Sequence, residues 1–205
     1  MTGPRWGGEN ESSSKAQELW GDFNGDGKAD TGVFYNYGLS GSANRSGLWT
    51  QASNGAGFAN PVKVWDSVAS GTGSFSWDCS KAMTGDFNGD GKTDVGVLYN
   101  DGPDGSGVNH TSLWTFISNG IGFNKPTKVW TSSFSFSWDR SKPVTGDFDG
   151  DRKTDVGILY NNGQQPDGSN KTSLWTLTST GSGFSAPVNG WDSIDQKLKG
   201  FSSRT

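Results

Sequence analysis

DFNGDGKAD (22–30), DFNGDGKTD (86–94) and DFDGDRKTD (147–155) are three copies of one nine-residue loop, and their reading decides the fold. Each runs at once into a strand-like stretch: TGVFYN, VGVLYN and VGILYN. Oxygen-bearing side chains stand at loop positions one, three, five and nine, a pattern that suits calcium. The copies begin at Asp22, Asp86 and Asp147, so one unit is about sixty residues long.

The repeat extends beyond the loops. After each strand come GLWT (47–50), SLWT (112–115) and SLWT (173–176), then SNGAGF, SNGIGF and STGSGF, then NPVKVWDS, KPTKVWTS and APVNGWDS. FSWDCSK (75–81) and FSWDRSK (136–142) lead into the second and third loops. Each unit reads as four short strands separated by Gly/Asn/Asp turns. Four strands per unit is the mark of a propeller blade, whose faces are both covered by neighbours. VGVLY and LWTFI accordingly carry apolar residues on both sides.

The expected fold is therefore all-β: β-propeller blades of four antiparallel strands, three repeats per chain. The divisions are an N-terminal extension (1–14) and repeats over about 15–74, 75–135 and 136–205. Phe201-Ser202-Ser203-Arg204 faintly resembles the start of a fourth unit. Closed rings have about four to eight blades. Three blades therefore predict either a homo-oligomer, two chains forming a six-bladed ring, or a part of a longer propeller. A β-trefoil also repeats four strands three times, but its repeats are shorter and lack this loop.

Composition agrees. Only 30% of the 205 residues are hydrophobic and 32 are Gly, yet aromatics reach 13% and include ten Trp, which a disordered chain lacks. Net charge is −4 with no Lys/Arg cluster, which argues against a nucleic-acid partner. Cys79 is the single cysteine, so no intrachain disulfide forms. Calcium can serve as the staple instead, and extracellular calcium fills weak oxygen sites. No apolar run is long enough for a membrane span. MTGPRWGGENESSSK has no signal-peptide core. The expected setting is secreted or extracellular with the export signal absent from this chain, the alternative being a protein not exported by that route.

The expected metal ligands are Asp22, Asn24, Asp26, the Lys28 carbonyl and Asp30 in the first loop. Asp86, Asn88, Asp90, the Lys92 carbonyl and Asp94 serve the second. Asp147, Asp149, Asp151, the Lys153 carbonyl and Asp155 serve the third. The lysine side chains are expected to point to solvent. An EF-hand is rejected, because position twelve is Val33, Val97 or Ile158 rather than Glu and a strand follows. Position six needs a left-handed residue and is Gly27, Gly91 and, in the third copy, Arg152. Arg152 predicts a strained loop, and a fourth Asp in that copy offers extra charge to offset it.

These residues resemble the FG-GAP/VCBS repeats of integrin-α-type propellers, whose mark is a D-x-[DN]-x-D-G-x-x-D loop between a blade's first two strands. The resemblance covers roughly residues 15–192. It implies a propeller, a structural calcium in each loop, and extracellular work. It leaves the ligand open, since such repeats occur in adhesion receptors, in lectins and beside secreted hydrolases.

Two aromatic sets could hold a ligand. NRSGLWT (44–50), NHTSLWT (109–115) and NKTSLWT (170–176) offer Trp49, Trp114 and Trp175 beside polar groups, either as a sugar site or as blade core. The same triplets read as glycosylation sequons at Asn44, Asn109 and Asn170, as does Asn10, although the repeat explains three of the four. The second set is Trp77 and Asp78 with Trp138, Asp139 and Arg140, at the lead-in to a blade's first strand. Trp65, Trp130 and Trp191 are expected on the other wall of the same junctions. Either set binds a ligand between blades or simply packs there.

Catalysis has little support. His110 is the only histidine and is replaced by Arg45 and Lys171 in the other copies; Cys79 is replaced by Arg140. The expectation is a non-enzymatic, calcium-stabilised binding module with a glycan or glycoprotein ligand. A protein-binding adhesion module, or an assembly fragment of a larger secreted protein, is the alternative.

Overall fold

The computed structural model describes residues 15–193. The extension 1–14, with its sequon at Asn10, and the fourth-unit fragment at Phe201 lie outside the described residues. Twelve strands form three antiparallel sheets of four, each in simple sequence order. The first holds β1 (Ala16–Gly21), β2 (Asp30–Ser40), β3 (Ala43–Gln51) and β4 (Val62–Asp66). The second holds β5 (Ser80–Gly85), β6 (Asp94–Pro103), β7 (Asn109–Phe116) and β8 (Thr127–Thr131). The third holds β9 (Ser141–Gly146), β10 (Asp155–Gln164), β11 (Asn170–Leu177) and β12 (Val188–Asp192). These are three propeller blades, and the described blades do not close into a ring. No helix among the described residues is long and apolar enough to cross a membrane.

The sheets share their irregularities as well as their strands. The second strand of each slips register at Asn36/Gly38, Asn100/Gly102 and Asn161/Gly163. Each asparagine Oδ1 accepts the N–H of the glycine two residues on, at 2.8, 3.0 and 2.8 Å. A side chain that mimics a turn thus places the bulge, and a bulge increases local twist.

The cores lie between sheets. Leu19, Phe23, Phe34, Leu48, Trp65 and Phe75 meet Val95, Val97 and Phe116 at the first junction. Met83, Phe87, Leu98, Leu113 and Phe136 meet Val156, Ile158 and Leu177 at the second. β6 feeds both: Val95 and Val97 face one blade and Leu98 the other, because successive side chains leave a strand on opposite faces. That is why its sequence does not alternate apolar with polar.

The blades also touch backbone to backbone. The Thr93 N–H donates to the Asp22 carbonyl and the Thr154 N–H to the Asp86 carbonyl, both at 2.7 Å. A Cβ on Gly21 would lie 2.3 Å from Thr93 Cγ2, and one on Gly85 would lie 2.3 Å from Thr154 Cγ2. Only glycine at the end of the first strand lets the next blade's loop come this close.

Position nine of each loop ties the hairpin together. Asp94 accepts the Phe87 N–H at 3.0 Å and the Ser118 N–H at 2.8 Å. Asp30 does the same for Phe23 and Ser53, and Asp155 for Phe148 and Ser179. All three aspartates are buried. Asp94→Ala is expected to leave two buried donors unpaired and to lower unfolding free energy by roughly 2–6 kcal/mol in urea denaturation.

Candidate functional site

The acidic loops connect the first and second strands of every blade, as their position between β1 and β2, β5 and β6, and β9 and β10 requires. In the first, Asp22 Oδ1 accepts the N–H groups of Gly25 and Asp26 at 2.7 and 3.1 Å, and Oδ2 that of Gly27 at 2.7 Å. Asn24 Oδ1 accepts the Asp26 N–H at 2.8 Å, and Asp26 Oδ1 the Lys28 N–H at 3.0 Å. The second loop repeats every one of these bonds around Asp86, Asn88 and Asp90. The third repeats them around Asp147, Asp149 and Asp151. The backbone curls around the first residue and brings positions one, three and five to one side. Position six is left-handed throughout: φ is 83° at Gly27, 84° at Gly91 and 70° at Arg152.

The donor set fits a hard cation in part. Carboxylate oxygens of Asp147, Asp149 and Asp151 lie within 4.8 Å of one another. In the first two loops Asn replaces the middle carboxylate and keeps a carbonyl oxygen there. Asp155 is not part of this cluster: it is buried, and its two oxygens accept the hairpin N–H groups described above. The lysines depart from expectation. Lys28, Lys92 and Lys153 do not point away into solvent; their ammonium groups fold back onto Asp26, Asp90 and Asp151. Concentrated negative charge two residues away draws them in.

Charge strain shows at Asp94. Burial pushes its carboxyl up to about 6, against the N–H groups of Ser118 and Phe87, and the nearby Asp90 and Asp86 add to the rise. A cation in the loop would relieve it.

The first and second loops each lend residues to a cavity between blades. The first, ≈190 Å³, is bounded by Phe23, Asn24, Thr50, Asn60, Gly120 and Phe123. The second, ≈110 Å³, is bounded by Phe87, Thr115, Ile117, Thr127, Gly181 and Phe184. Phe23 and Phe87 occupy the same loop position, and Phe123 and Phe184 the same hairpin position. The pairs meet edge to face at 5.8 and 5.6 Å. The Ser118 hydroxyl donates to the Phe23 carbonyl at 2.6 Å and that of Ser179 to the Phe87 carbonyl at 2.5 Å. Sequence reading missed these cavities, although the repeated SNGAGF, SNGIGF and STGSGF mark one wall.

Of the tryptophans expected at the junctions, Trp65, Trp77, Trp130 and Trp138 pack in or against the two cores. Trp77 joins the first core, and its indole N–H donates to the Phe34 carbonyl at 2.9 Å. Trp138 does the same with the Leu98 carbonyl, at 2.9 Å, in the second core. The Lys81 ammonium sits 4.0 Å above the Trp138 ring and donates to the Trp138 and Ser141 carbonyls. Trp65 is buried between Phe75 and Phe116 at 5.5 and 4.9 Å. Trp130 packs on Phe136, while Trp191 is exposed. Asp78, Asp139 and Arg140 lie in or beside the short 3-10 turns Trp77–Cys79 and Trp138–Arg140. Trp114 packs on Phe75 and Trp175 on Phe136, whereas the Trp49 indole N–H donates to the Tyr37 hydroxyl at 2.5 Å.

The variable residue before each LWT strand pairs locally. Arg45 makes a two-pronged bond to the buried Asp66, which Lys63 also contacts at 3.0 Å. Lys171 pairs with Asp192, and His110 with Asp104 and the Ser132 carbonyl. The bond to Asp104 raises the His110 pKa, and both ring nitrogens are engaged.

Residues 86–158 match the profile of the FG-GAP-like repeat, from the start of the second loop through the third. No curated protein matches the chain in sequence. Among solved structures the chain is similar to an Agrocybe aegerita lectin, described as recognising non-reducing terminal N-acetylglucosamine, with 12% identity and a TM-score of 0.33. The alignment covers 85% of this chain and 65% of that one, so this chain spans less than two thirds of the lectin's length.

Two outcomes follow. Arg152→Gly removes a left-handed non-glycine residue worth about 1–2 kcal/mol but loosens the unfolded chain by about 0.4–1 kcal/mol. A net gain of a few tenths to about 1 kcal/mol is expected in urea denaturation. The second concerns Asp66, where burial opposes ionisation but the Arg45, Ala69 and Lys63 bonds win and hold its carboxyl well below the usual range. A depressed folded-state value means stability that is present above about pH 4 and lost as pH falls further. The stability gap between wild type and Asp66→Asn should therefore shrink from pH 6 to pH 3.

Proposed function

We propose that this chain is a calcium-stabilised binding module of FG-GAP-like repeats that takes carbohydrate in the cavities between its blades. The observation that carries this reading is the recurrence of one cavity at both junctions, each beside an acidic loop. Phe123, Val62 and Ile121 supply apolar surface for sugar C–H groups, and Thr50, Asn24 and Asn60 offer donors and acceptors for hydroxyls. No cationic side chain lines either cavity, which suits a neutral ligand better than a phosphate or carboxylate. The first is smaller than a drug-sized pocket of about 300 Å³ or more and suits one sugar ring. Repeated weak sites would gain affinity for a branched glycan through effective concentration.

Calcium would be held by Asp22, Asn24 and Asp26, by Asp86, Asn88 and Asp90, and by Asp147, Asp149 and Asp151. It would supply positive charge that fixes the loop. Asn24 belongs to both the loop and the cavity wall, so loop order and ligand affinity are coupled. Extracellular calcium levels suit such exposed sites, which favours an extracellular setting. Binding at a hundredfold excess over Kd stabilises the fold by about 2.7 kcal/mol per site.

A protein ligand is the second reading, favoured by Ile121, which stands almost fully exposed on the cavity rim. Calorimetric titration should find at least two calcium ions per chain, and EDTA should lower Tm. A glycan array with calcium should give hits that free sugar competes away and that weaken in EDTA and in Asn60→Ala. An array with no hits from the calcium-loaded protein would remove the carbohydrate reading.

A further inference from the structure

The outer face of the third blade is built like the faces that the first two blades bury against a neighbour. Phe23 and Phe87 are 5% and 2% exposed beneath the next blade's Phe123 and Phe184. Phe148, at the same loop position, is 48% exposed. Leu48 and Leu113 are fully buried, while their equivalent Leu174 is only half-buried, and Trp191 is exposed where Trp65 is buried. The first blade carries the complement. Its Phe58 corresponds to Phe123 and Phe184, and it is 50% exposed with no aromatic partner among the described residues. Gly150 likewise has open space beside it, where its equivalents Gly25 and Gly89 face the next blade's Lys92 and Lys153.

Charge fixes the register. At the first junction Gln17 of one blade meets Ala82 of the next, whose N–H donates to Gln17 Oε1 at 2.8 Å. At the second junction the same two positions are Lys81 and Pro143. Proline has no N–H to give, and a lysine that needs acceptors stands opposite it, satisfied by the Ser141 and Trp138 carbonyls. Carried one blade further, the pair is Lys142 on the third blade and Glu18 on the first. Both are exposed, and neither has an ion pair among the described residues. Opposite charges at these positions match one further junction of the same kind, between a third blade and a first blade.

We infer that the outer face of the third blade docks on the first blade of a second copy of this chain, in the same register as the internal junctions. Two such contacts, related by a twofold axis, close a ring of six blades, within the range of closed propellers. Phe148 of each copy packs against the partner copy's Phe58, and Lys142 pairs with the partner copy's Glu18. The closing junction is more polar than the internal ones, because Thr31 and Gln51 stand where the second blade has Val95 and Phe116. It therefore dissociates more readily than the blades within a chain. Closure also completes a third cavity, with Phe148 and Thr176 from one copy and Gly57 and Phe58 from the other. The inference stands on its own and does not require that the cavities bind sugar.

Light scattering at micromolar concentration tests it. The expected mass is twice the 21.8 kDa of the chain. Phe148→Asp and Phe58→Asp should each give folded monomers with an unchanged β-sheet circular dichroism spectrum. K142E alone or E18K alone should raise the dimer Kd about tenfold, since each places like charges at both junctions. Mixing the two variants should restore it, because both junctions of the mixed dimer then carry opposite charges. A wild-type monomer, a dimer that survives Phe148→Asp, or a mixture no tighter than its parts would overturn the inference.

Discussion

Burial between blades is the constraint from which the rest follows. Each four-stranded sheet has two apolar faces, and among the described residues no helix covers either. Phe34 and Trp65 are buried in one cluster with Phe75 and with Val97 and Phe116 of the next sheet. Each blade is thus half of two cores. The glycines at Gly21 and Gly85, the carbonyls of Asp22 and Asp86 and the hydroxyls of Ser118 and Ser179 all serve this approach. They satisfy backbone groups that would otherwise be buried unpaired.

The acidic loop sits where these demands meet. Its outer half gathers Asp147, Asp149 and Asp151 on one side, where a cation can reach them. Its last residue turns inward and binds the Phe148 and Ser179 N–H groups. A single nine-residue stretch therefore joins a surface charge cluster to the hairpin that walls the neighbouring cavity. This gives a physical route by which loop order and cavity shape depend on each other.

Much of the fold was legible because repetition removes ambiguity. One acidic Gly-Asp turn is common, but three in register with VGVLYN and SLWT pointed to the strand count, the hairpin position of the loop and the strand, not a helix, that follows it. Arg152 was read as strained from its place in the pattern, and its φ is positive. Side-chain direction was less legible. The lysines at position seven looked solvent-bound, yet opposite charge folds them onto the loop. Trp65, Trp77 and Trp138 looked available to ligand. Trp65 is buried in a core, whereas Trp77 and Trp138 rest half-buried against the cores with their indole N–H groups on backbone carbonyls. The cavities near Phe23 and Phe87 escaped notice because their walls come from segments some ninety residues apart, as the Ser118–Phe23 bond shows.

By itself the sequence determined the repeat, the blade and the place of the acidic loop, since these rest on local spacing and on residue types that tolerate few backbones. Only the tertiary structure decided which aromatic faces are dry, that position nine serves the hairpin, and that the third blade keeps an open face. Those outcomes depend on what the neighbouring sheet brings to within van der Waals distance, and no single repeat encodes its neighbour.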